Sequence, residues 1–258
     1  MTEAVQRFLR SSQSSLGFAY SFLIYYALPF HDRALTQIYA PFIRPGDLCF
    51  DIGAHLGDRI RAWSKLGARV VALEPHPGLM TWLRRWYGQR ENIVLLEQAV
   101  SAQPGMADLW ISRLTPSIST ISREWLTTVR QNRRFAGSRW EEQVTVPVTT
   151  LDALIAQYGR PAFCKIDVEG AELDVLRGLS HPLSALSFEY IPAVIETSLG
   201  CIERLSQLGE YEYNWRLSEF PRLRSSTWLR PHEMIAQLQR MPPDSNSGDV
   251  YARLTHME

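Results

Sequence analysis

Five short apolar runs, each followed after a charged or glycine-marked turn by a helix-length segment, constrain this chain more than any other feature. Asp47–Ile52 (DLCFDI), Arg69–Leu73 (RVVAL), Asn92–Glu97 (NIVLLE), Ala162–Val168 (AFCKIDV) and Leu186–Ile191 (LSFEYI) are near-continuous in apolar character, as strands buried on both faces are. Asp58–Leu66, Pro77–Tyr87, Thr150–Tyr158, Ala171–Leu179 and Ala193–Leu208 read as helices, with Gly67 and Gly88 stopping the first two and Thr150 as an N-cap. This alternation predicts a mainly parallel sheet covered by helices on both faces. Met106–Ile111 and Gln143–Val148 read as further strands, and Glu210–Leu217 with Asp249–Leu254 as an antiparallel edge. In such sheets ligands bind beyond the carboxyl ends of the strands, so chemistry is expected just after the five runs.

Composition removes several function classes. Hydrophobic residues make up 45% of the 258, enough apolar mass to offset chain entropy and argue against general disorder. Lys plus Arg and Asp plus Glu are 27 each, a balance that argues against a broad nucleic-acid face, which needs a basic surplus. Cys49, Cys164 and Cys201 match no zinc spacing and are too few for a disulfide framework, so reduced, buried thiols are expected. The opening MTEAVQRFLRSSQSS lacks the order of a signal peptide, and a cytoplasmic protein is the expectation. The apolar run Leu16–Phe30 is 15 residues long and ends around Pro29, short of the ~20 that a spanning helix needs. It is expected to pack on the domain or on a second copy, making a homodimer through the N-terminal helices. Residues 1–45 are accordingly expected to be a helical extension, and 46–258 the main domain.

Four strand ends carry the candidate chemistry. Asp51-Ile52-Gly53-Ala54-His55-Leu56-Gly57 is D-x-G-x-x-x-G, without the middle glycine of the dinucleotide fingerprint G-x-G-x-x-G. Its acid suits a cationic ligand head, such as an ammonium, better than a pyrophosphate. Glu74, at the end of RVVAL, stands where an acid accepts the hydroxyls of a ribose. Ala99, in EQAVS, stands where short side chains would border an adenine. Asp167 and Glu169 end a buried strand, where a carboxylate must be hydrogen-bonded, paired or metal-bound. Period two puts Lys165 and Asp167 on one side, and Glu172 reads as a first-turn acid.

In this order, DLCFDIGAHLG, ALEPHP, QAVSAQPG, VTTLDAL and CKIDVEGAELDVLRG closely resemble the FkbM family of S-adenosylmethionine-dependent methyltransferases, over residues 46–196. The most specific element is K-I-D-V-E-G-x-E-x-x-V-L-x-G, here Lys165 to Gly178. The resemblance implies a Rossmann-like seven-stranded sheet, mainly parallel with an antiparallel edge. It also implies S-adenosylmethionine as cofactor and methylation mainly of hydroxyl oxygens on sugars, glycans or natural products. Carried over by position, Asp51, Gly53, His55 and Gly57 would line the methionine end of the cofactor, Glu74 its ribose and Ala99 its adenine. Asp167 and Glu169 would face the methyl group and the acceptor. One departure is His55, which stands where asparagine is commoner.

An alcohol is a poor nucleophile, so a base or metal should help remove its proton. Asp167 ranks first as base, followed by Glu169 and His55. Two acids two residues apart also suit Mg²⁺ or Ca²⁺, although metal-free transfer is the expectation. Residues 113–142 read as a substrate lid, rich in arginine and tryptophan, whose Ser117, Ser119, Thr120 and Arg133 would touch substrate together with Glu189. Three rivals remain open: a nitrogen or protein acceptor, a cofactor-binding partner without catalysis, and a nicotinamide oxidoreductase, against which the missing glycine counts.

Overall fold

The computed structural model describes residues 29–132, 135, 137–218 and 222–255. The run beginning at Leu16 lies almost wholly outside them, as does the lid residue Arg133. Along the described chain come α1 (Pro29–Tyr39), β1 (Leu48–Ile52), α2 (Asp58–Lys65), β2 (Arg69–Leu73), α3 (Pro77–Tyr87) and β3 (Ile93–Leu96). Next are β4 (Ala99–Val100), β5 (Gly105–Ile111), α4 (Arg123–Val129), β6 (Glu142–Thr149), α5 (Leu151–Tyr158) and β7 (Phe163–Ile166). The chain continues through α6 (Glu172–Arg177), β8 (Ala185–Tyr190), α7 (Ile195–Leu208), β9 (Tyr211–Leu217), α8 (Pro231–Gln239) and β10 (Gly248–Leu254).

Seven strands form one sheet in the order β3-β2-β1-β7-β8-β10-β9. The β3-β2-β1-β7-β8 pairs are parallel, and β10 runs antiparallel to both β8 and β9. The expected antiparallel edge is therefore present, with the last strand inserted inside it. Strand order reverses between β1 and β7, which opens a crevice at their carboxyl ends. Each face of the sheet carries a core. Phe50, Ile52, Cys164, Ile166, Leu186 and Phe188 pack under α5, α6 and α7. On the other face Tyr39 of α1 meets Trp63 of α2 edge-on at 5.3 Å and Phe163 of β7 at 5.2 Å. All three cysteines are free and buried. Among the described residues, no helix is long and apolar enough to cross a membrane.

Local chemistry fixes the elements that frame the crevice. α3 starts on His76, whose Nδ1 accepts from Gly78 N at 3.0 Å, and Pro77 pre-sets the first turn. α5 starts on Thr150, whose hydroxyl accepts from Ala153 N at 3.1 Å, the cap the sequence predicts. EQAVS differs from its sequence reading. β3 stops at Leu96, and Ala99-Val100 is a separate strand pairing with β6 in a second sheet of order β4-β6-β5. The insertion between β5 and β6 has its own core of Ile118, Trp125, Leu126, Val129, Phe135 and Trp140 against Ile191. It sits on the β7–α6 turn through two contacts. The Thr120 hydroxyl donates to Glu169 O at 2.7 Å, and the Trp125 ring lies over Gly170 so closely that a Cβ there would come within 2.1 Å of Cδ1.

Candidate active site

A cavity of about 550 Å³ opens at the carboxyl ends of β1, β2, β7, β8 and β9, roofed by residues 115–119, Phe135 and Ser138 of the insertion. That volume is in the range of small-molecule sites. Asp51, Gly53, His55, Glu74, Asp167, Glu169, Glu189, Ser117 and Ser119 all line it. The structure thus brings together most of the residues selected from sequence. Of the selected residues that are described, three do not line this cavity. Gly57 is packed beneath it, where a Cβ would come within 2.8 Å of the Tyr87 ring. Ala99 and Thr120 line a small adjoining recess with Gly53, Pro75, Leu109 and Val168.

The glycine loop and the β7 turn interlock. Gly53 has φ +83°, and a Cβ on it would sit 1.8 Å from Asp167 O. Asp167 N in turn donates to Ile52 O at 2.9 Å. Gly53 therefore lets two strand ends meet, and a side chain here would push them apart. His55 and Glu169, at φ 48° and 54°, are the two non-glycine residues with positive φ among those described. Both lie on the cavity wall.

Asp51 is 1% exposed, and its Oδ2 has no hydrogen-bond partner within the protein. Burial raises its pKa to about 7, against the opposing pull of Arg59. Glu74, 6% exposed, accepts His55 N at 2.8 Å through Oε2 and His76 N at 2.9 Å through Oε1. Burial raises its carboxyl to about 7 despite these two bonds. Burial lowers His55 to about 4, so its imidazole is neutral near pH 7.

Lys165, 1% exposed, holds Asp167 Oδ2 at 2.9 Å and, on its other side, Asp249 Oδ1 at 2.9 Å. Burial disfavours its charge, but these two acids more than offset that and raise its pKa. Asp249 also takes Arg216 Nε at 2.7 Å and Nη2 at 2.6 Å. Burial works against its charge as well, yet Lys165, Arg216 and Arg59 together hold it ionised, with its pKa below the usual carboxylate range. Glu189 pairs in register with Asp249, which pairs with Arg216. Burial first, then Glu169 and Asp167, push Glu189 well above the usual carboxylate range. Its Oε2 is buried without a partner. Glu172 has a larger part than dipole complementation: its carboxylate accepts Val168 N at 3.0 Å and Gly170 N at 3.0 Å, which shapes the turn bearing Asp167 and Glu169.

Sequence reasoning assigned no role to Arg59, Arg216 or Asp249. No local spacing joins positions 59, 165, 216 and 249; only the insertion of β10 beside β8 and β9 does. Conversely, no described arginine of the insertion lines the cavity. Arg113 pairs with Glu142, Arg123 with Asp108 and the Trp110 ring, and Arg130 lies over Trp140.

The model of the methyltransferase FkbM domain matches residues 51–214, and the chain belongs to that family of methyltransferases. No curated protein matches it by sequence. Solved structures similar to it include precorrin-6Y C5,15-methyltransferase from Geobacter metallireducens, 12% identical over 87% of each chain with a TM-score of 0.45. An S-adenosylmethionine-dependent O-methyltransferase from Thermotoga maritima is 11% identical over 89% of this chain and 67% of its own, TM-score 0.39. Fibrillarin from Aeropyrum pernix, solved with bound S-adenosyl-L-methionine, is 13% identical over 82% of this chain and 68% of its own, TM-score 0.38. The fold rests on the strand order of the sheet itself.

The raised carboxyls give the ligand-free enzyme a pH signature. Asp51, Glu74 and Glu172 all titrate near 7 when folded, above their ordinary values of 3.8, 4.5 and 4.5. The stability they contribute is fully present at low pH and is lost as pH rises through about 7. His55 and His76 work in the opposite sense, but their change is complete above their ordinary value of 6.5. The thermal midpoint of the ligand-free enzyme is therefore expected to fall as pH rises from about 5.5 to about 7.5, where three carboxyls outweigh two histidines, and to level off by about pH 8, with Glu74→Gln flattening the slope. A midpoint that rises across this window would contradict the assignment.

Proposed function

We propose that this protein is an S-adenosylmethionine-dependent O-methyltransferase whose acceptor is a hydroxyl on a sugar, glycan or other natural product. The observation that carries the reading is the orphaned, buried Asp51 Oδ2 beside the Gly53 turn, at one end of a cavity that reaches Asp167 and Glu189. A cationic ligand head would supply the missing partner. When bound, S-adenosylmethionine supplies an electrophilic methyl group on a sulfonium. Asp51 would hold its ammonium, Glu74 its ribose hydroxyls, and the recess at Ala99 its adenine.

Asp167 would orient the acceptor hydroxyl and take up its proton, with Lys165 fixing the carboxylate in place. Glu169 and the neutral His55 are the next candidates for that proton. Holding the acceptor on line, with water excluded by the 115–119 roof, is expected to supply most of the rate. Asp167, Glu169 and Glu189 bring carboxylate oxygens within 4.8 Å of one another, a grouping that also suits a divalent cation. Lys165 already places a positive charge in this group, so our reading is metal-free transfer. The test is transfer of a labelled methyl from S-adenosylmethionine to a panel of hydroxyl, amine and peptide acceptors, with and without EDTA. Label appearing on hydroxyl acceptors in EDTA supports the reading; label on amines or peptides alone, or a need for added Mg²⁺, overturns that part of it.

A further inference from the structure

The charged groups beneath the β8–β10–β9 side of the cavity balance in charge but are short of hydrogen-bond acceptors. Arg59, Lys165 and Arg216 face Asp58, Asp167 and Asp249. Asp249 serves all three cations: Lys165 on Oδ1, and on Oδ2 Arg216 at 2.6 Å and Arg59 at 3.9 Å. Because one carboxylate is shared so widely, donors are left over. Arg216 Nη1 and Arg59 Nε are buried and find no partner in the protein. Arg216 is 3% exposed, and both residues line the cavity. Buried guanidinium donors are satisfied in native proteins, so unsatisfied ones on a cavity wall call for acceptor atoms from a ligand.

The two guanidinium groups converge on the same Asp249 oxygen and so stand side by side, an arrangement that matches a group with several acceptor oxygens. Glu189, in register with Asp249, is held toward its neutral form by burial and by its acidic neighbours, which reduces the repulsion an anion would meet there. We infer that Arg59 and Arg216 form a subsite for an oxyanion, a carboxylate or phosphate, carried by the methyl acceptor; this rests on the methyltransferase reading above. The same chemistry has a second source, the methionine carboxylate of the cofactor itself.

Calorimetry on the full chain separates the two sources. One arm compares S-adenosylhomocysteine with 5′-methylthioadenosine, which lacks the amino-acid end. The other titrates glucuronate and inorganic phosphate, with glucose as the neutral control, into enzyme saturated with S-adenosylhomocysteine. Arg216→Lys and Arg59→Lys keep the charge and remove the guanidinium fork, and having two variants keeps the test valid if one unfolds. The expected result is that the wild type binds glucuronate or phosphate but not glucose. Each folded variant should weaken that binding by about tenfold or more, with S-adenosylhomocysteine affinity changed by less than about threefold. Loss of S-adenosylhomocysteine affinity with methylthioadenosine unaffected would assign the pair to the cofactor and overturn an acceptor subsite. No response in either arm would overturn the subsite and leave the cofactor reading intact, whereas failure of the wild type to bind S-adenosylhomocysteine would overturn that reading itself.

Discussion

Gly53→Ala is expected to cost about 3 kcal/mol or more of stability and at least ~100-fold in cofactor affinity. Two causes add. The residue sits at φ +83°, and its new methyl would meet Asp167 O at 1.8 Å, a backbone atom that moves only if β1 and β7 part at their carboxyl ends. Gly46→Ala is the control, because it shares the positive φ, +88°, and its Cβ would meet nothing within 4 Å. That variant should lose only the conformational part, about 1–2 kcal/mol. Thermal unfolding of the two variants separates close approach from backbone strain. Equal losses would mean that the Gly53–Asp167 contact does not define the site.

Asp167→Asn is expected to keep S-adenosylhomocysteine affinity within about tenfold, or ~1.4 kcal/mol, and to lower turnover by ~100-fold or more. The amide retains a hydrogen-bonding oxygen for Lys165 Nζ, which now lies 2.9 Å from the carboxylate, but it does not take up a proton. Glu74, which follows β2, and Ala99 of β4 stand apart from β7, so the contacts proposed for the adenosine should be unaffected. Glu169→Gln and His55→Asn should cost less, because the first keeps its backbone at φ 54° over the turn shaped by Glu172 and the second keeps the backbone amide that Glu74 accepts. Single-turnover rates on the three variants rank them, and a normal rate in Asp167→Asn would remove it from the proton-accepting role.

The parallel half of the sheet was legible because each of its strands is a local signal. An apolar run such as RVVAL is buried on both faces whatever its neighbours, and a turn such as Pro75-His76-Pro77 announces the next helix. Asp51 and Glu74 were legible for the same reason: each ends such a run. The rest depends on contacts between distant segments. Nothing near Asp249 in sequence indicates that β10 inserts between β8 and β9 and carries this acid to Lys165 and Arg216. The arginine-rich insertion reads as a basic lid, yet Arg113, Arg123 and Arg130 pair with acids or lie over tryptophan rings and none of them lines the cavity, while hydroxyls and Phe135 face it. Thr120 looked like a substrate contact, and its hydroxyl instead ties the insertion to Glu169.

The central claim is that the Asp51–Gly53 crevice takes a cationic sulfonium cofactor and not a dinucleotide. Calorimetric titration of wild type and Asp51→Ala with S-adenosylmethionine, S-adenosylhomocysteine and NAD tests it directly. The account predicts that the two adenosyl ligands bind the wild type, that Asp51→Ala weakens both by about tenfold or more, and that NAD gives no heat of binding. Binding of NAD alone, or adenosyl binding indifferent to Asp51→Ala, would contradict it.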